Sequence, residues 1–366
     1  MKKYRHIVII ALLTVLAGCV KIEYNEEPAA RMAFVVESYV PQTRALSVKE
    51  ADGYDSFSSR AYLHAEGVED VQYYFNDYET VNWNGSVWTP DKEYLWPTSD
   101  KSYINFVSWA GGMPSTNSYA KSGDSWTANL AWTDFTVASG AENLIYADLA
   151  WHYNKTSALA TTYQMDGSYS GVPTLFRHAL ARVGFKAKAA AASEGEAGGK
   201  HIEWTVGVTE IKVTGIKNTG SFAISNTEPA GTTAQTSEWT VVSAGSGWTG
   251  LSGEDNSFIW TGSKELTTVV EDVFPLRSAI PQDISAAKVS VKYSVTTKYW
   301  DGSTLQRTVV ENVESESSLA VGGITAFDRN VCTIYTLVIN PDTNIISIIP
   351  QTIDWVERGE DRLVVE

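Results

Sequence analysis

From Val289 to Val295 every second residue is apolar. Val289, Val291, Tyr293 and Val295 alternate with Ser290, Lys292 and Ser294. A period of two puts one set of side chains on each face of an extended strand. The same period returns at Ile202, Trp204, Val206 and Val208, and no segment keeps a helical period over three turns. Residues 179–192 come nearest to a helix, but Val183, Gly184 and Phe185 read better as a strand. The chain is therefore expected to be all-β. After Val208 the apolar residues fall at Ile211 and Val213, a switch of parity that predicts a bulge or bend.

Other segments follow the same logic. Residues 32–40 read as a strand with Phe34, Val36 and Val40 on one face, ended by Pro41, which has no N–H for a ladder. Residues 57–64, 71–75, 94–97, 104–109, 141–151 and 171–188 are further strand candidates. Asn84-Gly85 between Trp83 and Trp88 predicts a tight hairpin turn. Residues 111–125, rich in Gly, Ser and Asn, are expected to be a loop, and 189–200 a loop or hairpin tip. Asp301-Gly302 turns the alternating strand back into 305–310. Residues 331–339 are apolar on both faces, as a central strand should be, and 341–344 turn them into 345–349. Residues 353–355 and 363–365 end the chain. Many short strands at this spacing predict two β-sandwiches in tandem, over residues 31–180 and 181–366.

The N-terminus carries a different message. Lys2, Lys3 and Arg5 precede an apolar run over residues 7–16, followed by Leu16-Ala17-Gly18-Cys19. A charged front, an apolar middle and small residues at the end make a secretory signal over residues 1–18. A cysteine directly after Leu-Ala-Gly makes it a lipoprotein signal, with Cys19 as the lipidated residue. Lipoprotein-processing enzymes are then partners, and the outer membrane is reached through the lipid. Several acyl chains anchor far more firmly than one. Residues 19–30, polar and acidic, read as a tether.

The chain has 366 residues, with 28 Lys and Arg against 43 Asp and Glu. Loss of Lys2, Lys3 and Arg5 with the signal takes the formal charge from −15 to −18. Such a surface argues against nucleic acid as a partner. With Cys19 acylated, Cys332 has no partner for an internal disulfide and reads as inert core. The histidines at 64, 152, 178 and 201 show no zinc spacing, and His178 reads as structural. There is no Gly-x-Ser-x-Gly elbow, and the acids Asp52, Asp55, Glu66, Glu69 and Asp70 form no calcium-loop pattern. The expectation is a non-enzyme without catalytic residues, metal or cofactor. Trp83, Trp88, Trp96, Trp109, Trp126, Trp132 and Trp151 are expected to fill core, with sugar stacking as the other use.

Several of these segments, taken in order, resemble the fimbrillin family of type V pilins. They are the lipobox Cys19, Thr43-Arg44-Ala45 after an early strand, Trp88 leading to Tyr94-Leu95-Trp96-Pro97, and Glu142-Asn143-Leu144-Ile145-Tyr146-Ala147. Phe176-Arg177-His178-Ala179-Leu180, Ala279-Ile280-Pro281-Gln282 and the closing strands to Asp354-Trp355 complete the set. Asn143 stands where that family usually has Asp. The resemblance implies two transthyretin-like β-sandwich domains and export as a surface lipoprotein. It further implies a cut by an arginine-specific protease between Arg44 and Ala45, loss of the first strand with Phe34, Val36 and Val40, and filling of the vacated groove by a strand of another pilin subunit. Leu363 and Val365 would lie on one side of such a donor strand. The expected role is a structural and adhesive subunit of a fimbria at the outer membrane. The alternative is a monomeric surface lipoprotein that binds glycans through exposed aromatics.

Overall fold

The computed structural model describes residues 31–38, 46–47, 55–65, 70–75, 77–97, 102–122, 124–162, 167–191, 200–243, 245–255 and 258–355. Among them are 25 strands and one short helix, α1 (Lys155–Leu159), capped by Asn154. The chain is all-β, as its two-residue period requires.

The largest sheet holds eleven strands. They are β1 (Phe34–Ser38), β2 (Leu46–Ser47), β3 (Ser56–Ala65), β4 (Gln72–Tyr73), β5 (Glu79–Trp83), β6 (Trp88–Pro90), β7 (Ser102–Ala110), β10 (Ile145–Ala147), β11 (Leu149–Tyr153), β12 (Val172–His178) and β16 (Gln235–Ser237). Because β3 pairs with both β5 and β7, the path β7-β10-β12-β1-β6-β5-β3 returns to β7 and closes into a ring. A second sheet of β8 (Thr116–Ser122), β9 (Ser125–Thr136), β15 (Thr219–Thr227), β17 (Thr240–Val241) and β18 (Trp248–Ser252) covers one wall of that ring.

The other two sheets face each other. One contains β13 (Ala181–Ala189), β20 (Asp272–Val273), β21 (Arg277–Ala279), β24 (Val331–Asn340) and β25 (Ile345–Asp354). The other contains β14 (Lys200–Thr214), β19 (Ile259–Leu266), β22 (Lys288–Asp301) and β23 (Thr304–Ser318). Val289, Val291, Tyr293 and Val295 of β22 are all buried in the core between them, with Phe185, Tyr335 and Leu337 from the facing sheet. The bulge predicted after Val208 is present. The pairing of β14 shifts register between Val208 and Glu210 on both sides, so that Ile211 and Val213 point inward again.

Four local expectations are corrected. Trp83 pairs with Trp88 across four residues, not across a two-residue Asn-Gly turn. The Asn84 side chain accepts the N–H groups of Ser86 and Val87, each at 3.0 Å, and only Gly85 takes a positive φ, 95°. Residues 94–97 form no strand; Leu95 makes a single bridge to Arg31 while Trp96 is buried. Residues 111–125, expected as a loop, contain β8. Its polar sequence suits an edge strand, and it is held by pairing along β9, whose Ala128, Leu130 and Trp132 face the core. The segment that follows β13 is no hairpin tip either, because β13 and β14 belong to different sheets.

Strands β15 and β16, though late in the chain, pair with strands from the first half, and β17 and β18 pair with β15. The partners are β15 with β9 and β16 with β11. Residues 219–252 thus form an arm laid across the ring wall. Trp239 donates its indole N–H to Ala147 O at 2.7 Å, and Trp248 donates to Ala179 O at 2.8 Å.

Candidate functional site: the slot that holds the first strand

Strand β1 lies in the ring between β12 and β6. It runs parallel to β12, with Phe34 opposite Val172 and Ser38 opposite Phe176. On the other side Phe34 meets Trp88, and Met32 donates its N–H to Tyr94 O at 2.8 Å. Among the described strands only β1–β12 and β13–β24 are parallel pairs. A parallel neighbour cannot be supplied by a hairpin. Strand β1 is therefore held on its β12 side by residues more than a hundred positions away, and on the other side by β6 and by β2, its only near neighbour in sequence.

Its apolar side chains are fully enclosed. Met32, Phe34 and Val36 enter the ring core at no more than 1% exposure, and Val35 on the opposite face is as deeply buried. Phe34 meets Phe57 and Phe106 edge-on, with centroids 5.6 and 5.5 Å apart. Phe57 in turn packs on Trp88 and Phe176, so four strands contribute one aromatic nest behind β1. Backbone contact is close as well. Val172 donates to Ala33 O at 2.8 Å, and a Cβ on Gly171 would stand 2.4 Å from that oxygen, so only glycine fits there. The entrance carries an exposed pair, Arg31–Glu93 at 2.9 Å, and a half-sheltered trio in which Lys92 and the Tyr94 hydroxyl both reach Glu79 at 2.7 Å. Burial and the Glu79 charge push the Tyr94 hydroxyl up to about 12.

Of the residues singled out from sequence, Phe34 and Val36 stand together in this slot. Cys19, Val40, Arg44, Ala45, Leu363 and Val365 lie outside the described residues. Positions 44 and 45 fall in the connection between β1 and β2. Of the seven tryptophans, Trp88, Trp96, Trp109, Trp132 and Trp151 are buried, and Trp83 and Trp126 are half-buried. Cys332 is a buried free thiol whose pKa burial pushes up to about 11. His178 is enclosed, stacked on Trp355 at 3.7 Å and held by Asn143 Oδ1 at 2.8 Å.

Pattern reading missed a polar cluster at the arm. His152 and Glu228 pair at 2.7 Å, and the Asn105 amide lies 2.8 Å from the Tyr119 hydroxyl, which in turn lies 2.6 Å from His64 Nε2. Tyr103 reaches Glu228 at 3.3 Å. The six come from four strands and the residue following β15, so no local spacing announces them. Among the described residues no group of three or more His, Cys, Asp or Glu could hold a metal ion, and no helix is long and apolar enough to cross a membrane.

No protein-family model matches the chain, and no curated protein matches it. Solved structures do. A fimbrial assembly protein from Parabacteroides distasonis is 9% identical over 88% of this chain and 95% of its own, with a TM-score of 0.36. A fimbrial protein from Bacteroides vulgatus is 14% identical over 89% of this chain and all of its own, with a TM-score of 0.50. The chain shares the fold of that fimbrial protein.

Proposed function

We propose that this protein is a structural and adhesive subunit of a cell-surface fimbria. It is exported as a lipoprotein on Cys19 and assembled when β1 is released and a strand of another subunit replaces it. The observation that carries the reading is the position of β1. It is a short strand whose apolar side chains are buried, closing a ring, and joined to the rest of the chain through the connection that contains Arg44 and Ala45. The likeness in fold to a fimbrial protein supports it.

The physical logic is strand addition. Loss of β1 uncovers the places of Met32, Phe34 and Val36, each worth about 1.5–3 kcal/mol of apolar burial. It also strips β12 of its ladder partner on that side. A replacement strand restores both, with ladder hydrogen bonds giving affinity and alternate side chains entering the nest. Leu363 and Val365, two apart, are the proposed inserts. An arginine-specific protease acting after Arg44 is the proposed trigger, and Val40 leaves with the strand. The units proposed are residues 31–180 and 181–366, with the arm at 219–252 reaching back across that division. The role is non-enzymatic, and the location is the outer-membrane surface until processing and the fimbria afterwards.

The test is digestion of the full lipoprotein with a trypsin-like, arginine-specific protease, read by N-terminal sequencing and by gels run without boiling. A new N-terminus at Ala45 together with a ladder of detergent-resistant oligomers is expected, and Arg44→Gln should abolish both. A ladder-free sample that still begins at Cys19 overturns the reading.

A further inference from the structure

Strand β25 ends its sheet: the order is β20-β13-β24-β25, and among the described residues no strand pairs with its outer side. Edge strands are normally protected by charge, brevity or irregularity. The other long edges here follow that rule. Strand β23 carries Arg307, Glu311, Glu314 and Glu316, β19 carries Lys264 and Glu265, and β8 carries Lys121. Strand β25 carries no charged residue before Asp354, its last, and its only other guard is Pro350. Ile345 and Ile349 stand 60% and 56% exposed on its outer face, while Ile346 and Ile348 pack toward the core.

The sequence of this edge is a palindrome, Ile345-Ile346-Ser347-Ile348-Ile349. Two antiparallel copies related by a two-fold axis at Ser347 would place Ile345 opposite Ile349 and Ile346 opposite Ile348 of the second copy. The two exposed isoleucines would each gain an apolar neighbour. An isologous contact needs this self-complementarity. The same register sets Asp342 against Thr352 and Asn344 against Pro350, so no like charges meet. In a chain of formal charge −15 that is a demanding condition. Pro350, with no N–H to offer, limits the ladder to residues before it.

We propose that β25 is a pairing surface for a second copy of this chain, joined edge to edge about Ser347 into one sheet continuous across both molecules. The contact is independent of strand exchange at β1 and involves no covalent step.

The test uses the full mature chain. Sedimentation should show a concentration-dependent monomer–dimer equilibrium, and Ser347→Lys, which sets two ammonium groups face to face, should weaken it about a hundred-fold or more. Ser347→Cys under mild oxidation should cross-link rapidly, because directly opposed residues in an antiparallel pair have Cα atoms about 4.5–5.5 Å apart, within disulfide range. Thr352→Cys should not, its two copies lying about 34 Å apart along the strands. Buried Cys332 does not compete. The proposal is overturned by a monomer at every concentration together with equal cross-linking of the two cysteine variants. It is equally overturned by open-ended aggregates in place of dimers, or by outward amides of β25 protected from exchange in the monomer, which would mean that the chain's own tail covers the edge.

Discussion

His152 Nε2 lies 2.7 Å from Glu228 Oε1, both side chains buried, and this pair fastens the arm to the ring wall. His152 is held at φ 60°, a left-handed conformation that β-carbon-bearing residues avoid. It sits where the pairing of β11 with β7 skips a residue between Ala150 and Tyr153, and Asn105 Oδ1 accepts its N–H at 2.7 Å. The bulge turns the imidazole onto the carboxylate; without it the alternation of the strand would not present His152 to the arm.

Removing one partner of a buried pair leaves the other uncompensated. Glu228→Ala is expected to cost about 3 kcal/mol in urea unfolding. At position 152 the two truncations should differ: His152→Gly should be about 1 kcal/mol less damaging than His152→Ala, since glycine takes the left-handed conformation freely. Equal losses for the two would show that the strained φ is not a feature of the folded protein.

The slot of β1 is tuned by one missing side chain. Gly171→Ala puts a methyl 2.4 Å from the Ala33 carbonyl oxygen, a backbone atom that cannot swing aside. The expected cost is about 1–3 kcal/mol. Amide exchange should locate it in residues 34–38, with β22 unchanged. If β1 is the strand that leaves, the same variant should form the detergent-resistant ladder faster after cleavage.

Stability should fall in acid. Burial, with Arg182 nearby, holds the imidazole of His178 well below its ordinary range, and burial lowers that of His64 against the pull of Glu228. For Glu228, burial raises the carboxyl, but hydrogen bonds from His152 and Asn105 and the charges of His64 and His152 outweigh it, leaving it below the usual range. In all three the folded state gives up protons that the unfolded state keeps, so stability rises with pH through the affected window. The histidine contribution is complete above about pH 6.5 and is lost as the pH falls through the depressed values. For His178 the slope approaches about 1.4 kcal/mol per pH unit. Urea midpoints at falling pH should trace this decline. His178→Gln should be less stable at neutral pH, yet show a shallower decline.

The tail end of β25 should be firmly held up to its last described residue. Trp355 lies between the His178 ring at 3.7 Å and the Arg182 guanidinium at 5.1 Å, and it donates its N–H to Asn330 O. Trp355→Ala is expected to cost about 3–5 kcal/mol, the usual range for a buried aromatic truncation, measured by chemical denaturation. A much smaller loss would show that the end of β25 is not anchored there.

The sequence by itself determined what depends on local period and local chemistry. The alternation in β22 named its four inward residues. The slip after Val208 located a bulge. The burial of Phe34 and Val36 could be read from the first strand alone, because side-chain direction in a strand is fixed by parity. Only the tertiary structure decided the rest. That β1 lies parallel to β12 and closes a ring, that the polar strand β8 forms at all, that the arm crosses back to β9 and β11, and that His152 meets Glu228 each depend on contacts between residues far apart in the chain. Such contacts are settled by where long-range pairing places each ladder and each apolar face, and neither hydrophobic period nor turn chemistry carries that information.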